Sequence, residues 1–387
     1  MNVQNNNSDG EDNISPAMNQ AYYEEPFVLM VARLTFEVML AFMGLVGNIT
    51  VSFVISRQRK FRSGLKLYIR NLALADIGIL AISFPIAVVK EQLPLHWPFG
   101  KVVCLYFYPL AEVFHGVSVW SITAIAIERY RKITTSNGFR YSTYISTKPL
   151  KWGIVVIWIV SFLVVTFPLL FVMNFVENAT ETYCDVVWSH AVHSVYIISL
   201  TIFWYLLPLA IIVFTYAKIT RQIQQSNNFH RSSIKRRSRE KNVRDPRISM
   251  RFTEEEKRMR QNSKAKKLLT PIVLVFTISM LPLNFLRVLL LFWEEFFFEK
   301  FFWLIYNICV IGVVINSASD PLIYSIVSKD FRLELKEISS RFTNRLENVV
   351  KLRRDKKNGI CDKKFETGGI PREYNLDEES AILVTPV

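Results

Sequence analysis

The chain has 387 residues, 51% of them apolar and 29 of them Phe, and its 47 Lys/Arg against 33 Asp/Glu give a formal charge of +14. Mean hydropathy is +0.22, and the apolar residues are gathered into long uncharged runs separated by short polar ones, as in a chain that crosses a bilayer repeatedly. This segregation argues against a soluble enzyme, a disordered scaffold and a free nucleic-acid binder.

An acidic tail, residues 1–26, comes first. Seven runs then reach the roughly 20 helical residues needed to cross about 30 Å of hydrocarbon: Phe27–Ile55, Leu67–Val89, Val102–Glu128, Trp152–Phe175, Val192–Ala217, Leu268–Trp293 and Phe301–Val327. Helices satisfy their own backbone polar groups in lipid, so the expected fold is an all-α, seven-helix transmembrane bundle over residues 27–327. Of the 47 bases, 42 fall in 56–70, 129–151, 218–267 and 328–387, all on one side of the membrane. The positive-inside rule makes that side cytoplasmic and places the N-terminus outside. The net charge is therefore read as a topology signal. The basic stretch Ile234–Arg260 carries no aromatic or groove-reading motif for nucleic acid.

The first 26 residues lack the apolar core of a cleavable signal peptide, so the first span is expected to act as its own insertion signal. Sequons at Asn6, Asn13 and Asn178 fall on the outer side and are candidate glycosylation sites, whereas Asn48-Ile-Thr lies within the first span. Cys104 opens the third span and Cys184 lies between spans four and five, both facing an oxidising compartment, so a disulfide between them is expected. Cys309 and Cys361 are expected as free thiols. No metal-binding spacing is present.

Ionisable residues within spans are functional candidates by default, and here they are Arg33, Glu37, Asp76, Glu112, Glu128, Arg129, Arg287 and Asp320. They belong to an ordered set. Gly47-Asn48 is in span one and Asn71-Leu-Ala-Leu-Ala-Asp76 in span two, and Trp97-Pro-Phe-Gly100 precedes Cys104. Glu128-Arg129-Tyr130 ends span three. Trp158 follows in span four, Pro208 with Tyr216 in span five, Phe276 with Pro282 in span six, and Asn316-Ser-Ala-Ser-Asp320-Pro321-Leu-Ile-Tyr324 in span seven. In this order, from about Phe27 to Ile338, the chain resembles the rhodopsin-like (class A) G-protein-coupled receptors.

The resemblance implies that Arg129 pairs with Glu128 at rest and is released towards Tyr216, Tyr324 and a heterotrimeric G protein on activation. Asp76, Ser118, Asn316 and Asp320, with Asn48 nearby, resemble the family's sodium and water pocket. Two carboxylates in a dry site cannot both ionise cheaply, so a sodium ion or a shared proton is expected there, against the alternative of a polar core without an ion. No other cofactor is implied. Pro208 and Pro282 remove backbone hydrogen bonds and are expected kinks. Span six reads Ser279-Met280-Leu281-Pro282 where many relatives have Cys-Trp-x-Pro. Either Met280 takes over the tryptophan's role or another aromatic does.

The ligand is read from charge and resemblance. The last span has no lysine to hold retinal, no inverted repeat suggests a transporter, and no intramembrane His-Glu-x-x-His or nucleophile suggests a protease. An amine receptor would carry Asp where Ala111 stands, 18 residues before Arg129. Glu112 follows, about 100° further round the helix and roughly 12 Å below Cys104. It faces either the ligand or an internal partner, Arg287 or His115. Asp185, Glu294 and Glu295, with Glu24, Glu25, Glu177, Glu181 and Glu299, make an acidic outer rim suited to a basic ligand. Acidic outer loops also arise without any ligand role. The Trp-Pro-Phe-Gly loop and layout look similar to neuropeptide Y-like, RFamide-like and orexin-like receptors. Together these point to a short, basic, C-terminally amidated peptide, with Glu112, His115, Asp185, Arg287, Glu294 and Glu295 as candidate contacts. A non-peptide small molecule, or a binder that does not couple, is the alternative.

Residues 218–267 form a long basic third cytoplasmic loop whose middle is expected to be disordered. Its bases favour anionic lipid headgroups, and serines flanked by bases in Arg231–Ser238 are an alternative signal for kinase regulation; the resemblance adds arrestin and receptor kinases as candidate partners. Phe331, Leu335 and Ile338 recur at helical spacing, so 328–342 is expected as a short amphipathic helix on the cytoplasmic membrane surface, before a disordered tail over 343–387. The expected site of action is the plasma membrane.

Overall fold

The computed structural model describes the backbone of residues 25–57, 64–93, 96–135, 148–179, 181–239, 246–293, 295–296 and 301–327, and of short helical pieces between 331 and 351. Seven helices are long and apolar enough to cross a membrane: α1 (Phe27–Arg57), α2 (Leu65–Gln92), α3 (Gly100–Ile133), α4 (Pro149–Val172), α5 (His190–Gln225), α6 (Thr270–Phe292) and α7 (Leu304–Ile326). The expected spans are all present, with boundaries shifted by a few residues. The largest shift is at the end of α5, which runs eight residues past Ala217 to Gln225; at the end of α4, Met173–Phe175 leave the helix and enter a strand. Apolarity alone does not separate a helix end from a strand that buries side chains on one face.

Between α4 and α5 the chain makes an antiparallel hairpin, β1 (Met173–Glu177) and β2 (Thr182–Val186), with Phe175 opposite Cys184. A disulfide joins Cys184 to Cys104 at the start of α3, as the sequence leads one to expect. The Trp-Pro-Phe-Gly loop packs onto the same place. Trp97 is buried with both cysteines, Ile86 and Met173, and its indole N–H donates to the Gly100 carbonyl at 2.9 Å. Gly100 has φ +73°, a left-handed conformation that closes this turn without a Cβ clash.

Four of the helices widen locally. Five-residue π-helical stretches occupy Ile79–Ser83, Val103–Phe107, Phe162–Thr166 and Ile202–Leu206. Each ends two residues before a proline: Pro85, Pro109, Pro168 and Pro208. A proline ring clashes with the carbonyl four residues back, and each such carbonyl lies inside the π stretch. Widening the turn there moves the oxygen aside without ending the helix. Pro208 thus does distort α5. Pro271, Pro282 and Pro321 sit within continuous α-helix.

Helix α1 packs on α2 and α7, α3 on α2, α4 and α5, and α6 on α5 and α7. Large apolar side chains on the outward faces, including Phe36, Phe42, Phe214, Ile278 and Phe285, are exposed, as expected of surfaces that meet lipid. The polar side chains turn inward. Trp158 Nε1 on α4 donates to Asn71 Oδ1 on α2 at 3.0 Å, and Asn71 Nδ2 donates to Ser121 Oγ on α3 at 2.8 Å. One amide therefore ties three helices. Helices α6 and α7 meet at Gly312, where an added Cβ would lie 2.5 Å from the Ser279 carbonyl oxygen.

The third loop departs from expectation. The helix containing α5 continues to Arg239, and the helix containing α6 begins at Pro246, so most of the expected loop is helical in backbone. Only 240–245 between them lie outside the described residues. After α7, Phe331 packs against the main apolar core, and Arg332 Nη1 donates to the carbonyls of Ser325 (3.0 Å) and Ile326. From Leu333 onward the chain forms a separate unit. It is helical over 335–341, with an Arg341–Glu337 pair at 2.5 Å, and again at Thr343, Asn344, Glu347, Val350 and Lys351. Helix therefore persists past 342, where disorder was expected to begin.

Two substitutions test this packing. Gly312→Val should destabilise the purified protein by about 1–3 kcal/mol, because the obstacle is backbone; an unchanged melting temperature would count against the close α6–α7 contact. Trp158→Phe leaves Asn71 Oδ1 without its donor and should cost about 1 kcal/mol in the same assay.

Candidate functional site

The polar residues of the bundle fall into three groups along its length. The central group surrounds Asp76, which is fully buried on α2. Ser118 Oγ on α3 donates to Asp76 Oδ1 at 2.9 Å. Asp320 on α7 is buried and interacts directly with it, with Asn316 buried one turn back. Asn48 Nδ2 on α1 donates to the carbonyls of Gly44 and Ser317, both at 3.0 Å. Asp76 Oδ2, Asp320 Oδ2, Asn48 Oδ1 and Ser317 Oγ are buried without a hydrogen-bond partner. Two of these oxygens belong to the carboxylates, and Ser317 and Asp320 both lie against Asp76; such an all-oxygen set suits a hard cation, and a proton shared by the carboxylates would also relieve it. All five residues expected here lie in the buried interior. Ser317 was not anticipated, since nothing but its place one residue after Asn316 marks it.

The second group is at the end of the bundle opposite the disulfide. Among the described residues Arg129 makes no ion pair with Glu128, contrary to the pairing that the resemblance implies. Its Nε is buried without a hydrogen bond, and it lies within electrostatic reach of Tyr324, whose hydroxyl is likewise buried and unpartnered. Tyr216 on α5 and Thr270 on α6 share a hydrogen bond of 3.1 Å between their hydroxyls, closing α5 on α6 there. Tyr130 packs edge-on against Phe214 at 6.5 Å. Between this end and the centre, Phe276 is fully buried with Met280 in one apolar cluster. Tyr205 on α5 joins them: its ring is 6.2 Å from that of Phe276, and its hydroxyl donates to the Thr277 carbonyl on α6 at 3.3 Å. Met280, Phe276 and Tyr205 thus share one apolar cluster across α5 and α6.

The third group lies towards the disulfide. Glu112 is within electrostatic reach of Tyr196 on α5 and Tyr306 on α7, which places its carboxylate towards the interior of the bundle. Its nearest basic partner is His115 Nδ1 at 3.5 Å. Arg287 on α6 acts electrostatically on the same two tyrosines and on His115. Among the described residues it forms no ion pair with Glu112 or any other carboxylate. Trp188 stacks on Tyr196 at 4.8 Å, and the Trp188 indole nitrogen, Asn284 Oδ1 and Asn307 Oδ1 are buried and unpartnered. Between α3, α5, α6 and α7 this group therefore brings together the Glu112 carboxylate, the Arg287 guanidinium, several aromatic rings and unsatisfied polar atoms.

The expected acidic rim is only partly free. Asp185 on β2 is exposed, yet its carboxylate lies 3.7 Å from Lys90 on α2 and accepts from the Val186 N–H. Glu25 is bound to Arg33. Glu295 is exposed, whereas Glu294 and Glu299 lie outside the described residues. Of the sequons, Asn178 is exposed in the hairpin turn, and Asn6 and Asn13 lie outside the described residues. The principal feature missed from sequence is a cluster in which Arg33 meets Glu25, Glu37 and Glu91. The Arg33/Glu37 spacing of four residues was its available signal.

The pattern of the 7 transmembrane receptor (rhodopsin family) matches residues 47–324. Mouse (Mus musculus) neuropeptide Y receptor type 6 is 25% identical, over 85% of this chain and 86% of its own length. Rat (Rattus norvegicus) galanin receptor type 1 is 27% identical, over 76% of this chain and 78% of its own. Mouse neuropeptide Y receptor type 4 is 27% identical, over 76% of each chain. Seven membrane-length helices, a loop disulfide on the third, and a pattern match over most of the chain agree: this chain belongs to the rhodopsin family of seven-transmembrane receptors.

Proposed function

We propose that the chain is a plasma-membrane receptor for a short basic, C-terminally amidated peptide, with its N-terminus and the disulfide end outside, and that it signals through a heterotrimeric G protein. The similarity to neuropeptide Y and galanin receptors supports the ligand class. The observation that carries the reading is the pairing of two incomplete ends. Glu112 and Arg287 offer opposite charges inside the disulfide end without pairing to each other, and Arg129 waits buried and incompletely bonded at the other. A cationic side chain of the ligand would answer Glu112, and a backbone carbonyl or terminal amide oxygen would answer Arg287. Asp185, Glu295 and Glu294 would steer the ligand, the first with less free charge than its sequence suggests, given Lys90.

Ligand entering between α3, α5, α6 and α7 would press on α6 through Met280, Phe276 and Tyr205. Movement of α6 about Pro282 breaks the Tyr216–Thr270 contact and opens the face that carries Arg129, a shift of population between two packings. Asn48, Asp76, Ser118, Asn316, Ser317 and Asp320 would hold a sodium ion, which would neutralise the paired carboxylates and stabilise the closed packing. The basic helical extensions of α5 and α6 would meet anionic lipid headgroups, and receptor kinases and arrestin would act on this cytoplasmic side.

Second-messenger release, calcium and cyclic AMP together, in cells given basic amidated peptides, acidic peptides and biogenic amines tests the reading. A basic peptide should elicit a response that Arg129→Ala abolishes, and Arg287→Gln should lower its potency by about tenfold or more, the cost of one charge-assisted hydrogen bond. A response to amines alone, with the receptor confirmed at the surface, would overturn the peptide assignment. Asp76→Asn should leave surface expression near normal while weakening signalling and its sensitivity to sodium. Signalling equal to wild type would remove the ion from the mechanism.

A further inference from the structure

At the disulfide end, α1, α2 and the segment before α1 meet at a single guanidinium. Arg33 Nε and Nη2 engage both oxygens of Glu25, at 2.9–3.3 Å. Nη1 donates to Glu37 Oε1 at 3.1 Å, and Nη2 donates to Glu91 Oε1 at 2.5 Å. The side chains of Arg33, Glu25 and Glu91 are 9%, 19% and 10% exposed, and that of Glu37 is not exposed at all. Gln92 Nε2 adds one neutral donor to Glu91 at 3.0 Å.

Three carboxylates around one guanidinium leave two surplus negative charges if all are ionised. Among the described residues no other base offsets them. The neighbouring base, Lys90, faces Asp185 and the Tyr108 ring instead. From α7, the titratable side chain within reach is Tyr306, which feels Glu91 and brings no positive charge at neutral pH. An unpaired charge in a low-dielectric site is costly, and the usual relief is to take up a proton. A second observation locates it: Glu37 Oε2 is buried without any partner, in the one side chain of the cluster that solvent does not reach. Among the described residues no group of three acidic or His/Cys side chains has the arrangement of a metal site.

We propose that this cluster is a proton-binding site, with Glu37 carrying the proton at neutral pH, and that the bound proton keeps the segment before α1 clamped to the end of α2 through Arg33. The neutral Glu37 still accepts from Arg33 through Oε1, and the guanidinium is left to Glu25 and Glu91. Loss of the proton puts a third negative charge in the buried corner and sets Glu37 in competition for Arg33. The clamp is then sensitive to the pH of the fluid at that face.

Glutamine is the neutral mimic of protonated glutamate, so Glu37→Gln is the decisive variant, tested on the purified full-length receptor without any ligand. Wild type and Glu37→Gln should melt at the same temperature near pH 7. Raised to about pH 9, the wild type should lose stability that the variant keeps, since proton loss is possible only in the former. Infrared spectra near pH 7 should show a protonated-carboxyl C=O band that is missing from Glu37→Gln. Failure of Glu37→Gln to fold, a lower melting temperature at neutral pH, parallel losses at alkaline pH or identical carboxyl bands would each overturn the proposal, because a neutral isostere should replace a protonated Glu37 without loss and only proton release from Glu37 should separate the two.

Discussion

Hydrocarbon offers no hydrogen bonds, so every polar side chain carried into this bundle has to find its partner on another helix or be left wanting. That constraint organises the molecule. Asn71 is satisfied by Trp158 and Ser121 from two different helices, and Asn48 by the carbonyls of α1 and α7. These contacts fix which helices are neighbours. Where partners run out, at Asp76, Asp320, Arg129, Glu112 and Arg287, the unsatisfied groups lie along the path from one face of the bundle to the other.

Proline acts on the same bundle through a different force. Four prolines follow five-residue π stretches, and in each the carbonyl that the ring would strike is swung aside by widening the turn. The helices keep running and acquire a local irregularity. On α5 that irregularity contains Tyr205, which lies against Phe276 and the Thr277 carbonyl of α6. A side chain with no place in the expected motif thereby lies between α5 and α6 in the same cluster as Met280 and Phe276, on the route of the proposed relay.

Charge is distributed by two rules that the structure separates. Bases collect on one side because insertion requires it, and this accounts for nearly all of the net charge. Acids at the other end do not form a uniform rim. Glu25, Glu37 and Glu91 converge on Arg33, and Asp185 answers Lys90, so part of the negative charge goes into holding the N-terminal segment and the hairpin to the end of α2.

The sequence by itself determined the seven spans, the disulfide and the identity of the central carboxylates, because hydropathy and motif order are properties of one dimension. It also marked Glu112 and Arg287 as exceptional, since a charge in an apolar run is visible without a fold. Which way those charges face, that Arg129 is not paired with Glu128, that Tyr205 meets Phe276, and that Arg33 gathers acids from positions 25, 37 and 91 were decided only by the tertiary structure. The reason is that partner choice depends on helix rotation and on the approach of segments far apart in the chain. Most of these residues belong to no motif, and their meaning lies in contacts such as that of Arg33 with Glu91 at 2.5 Å, which exist only once the helices are packed.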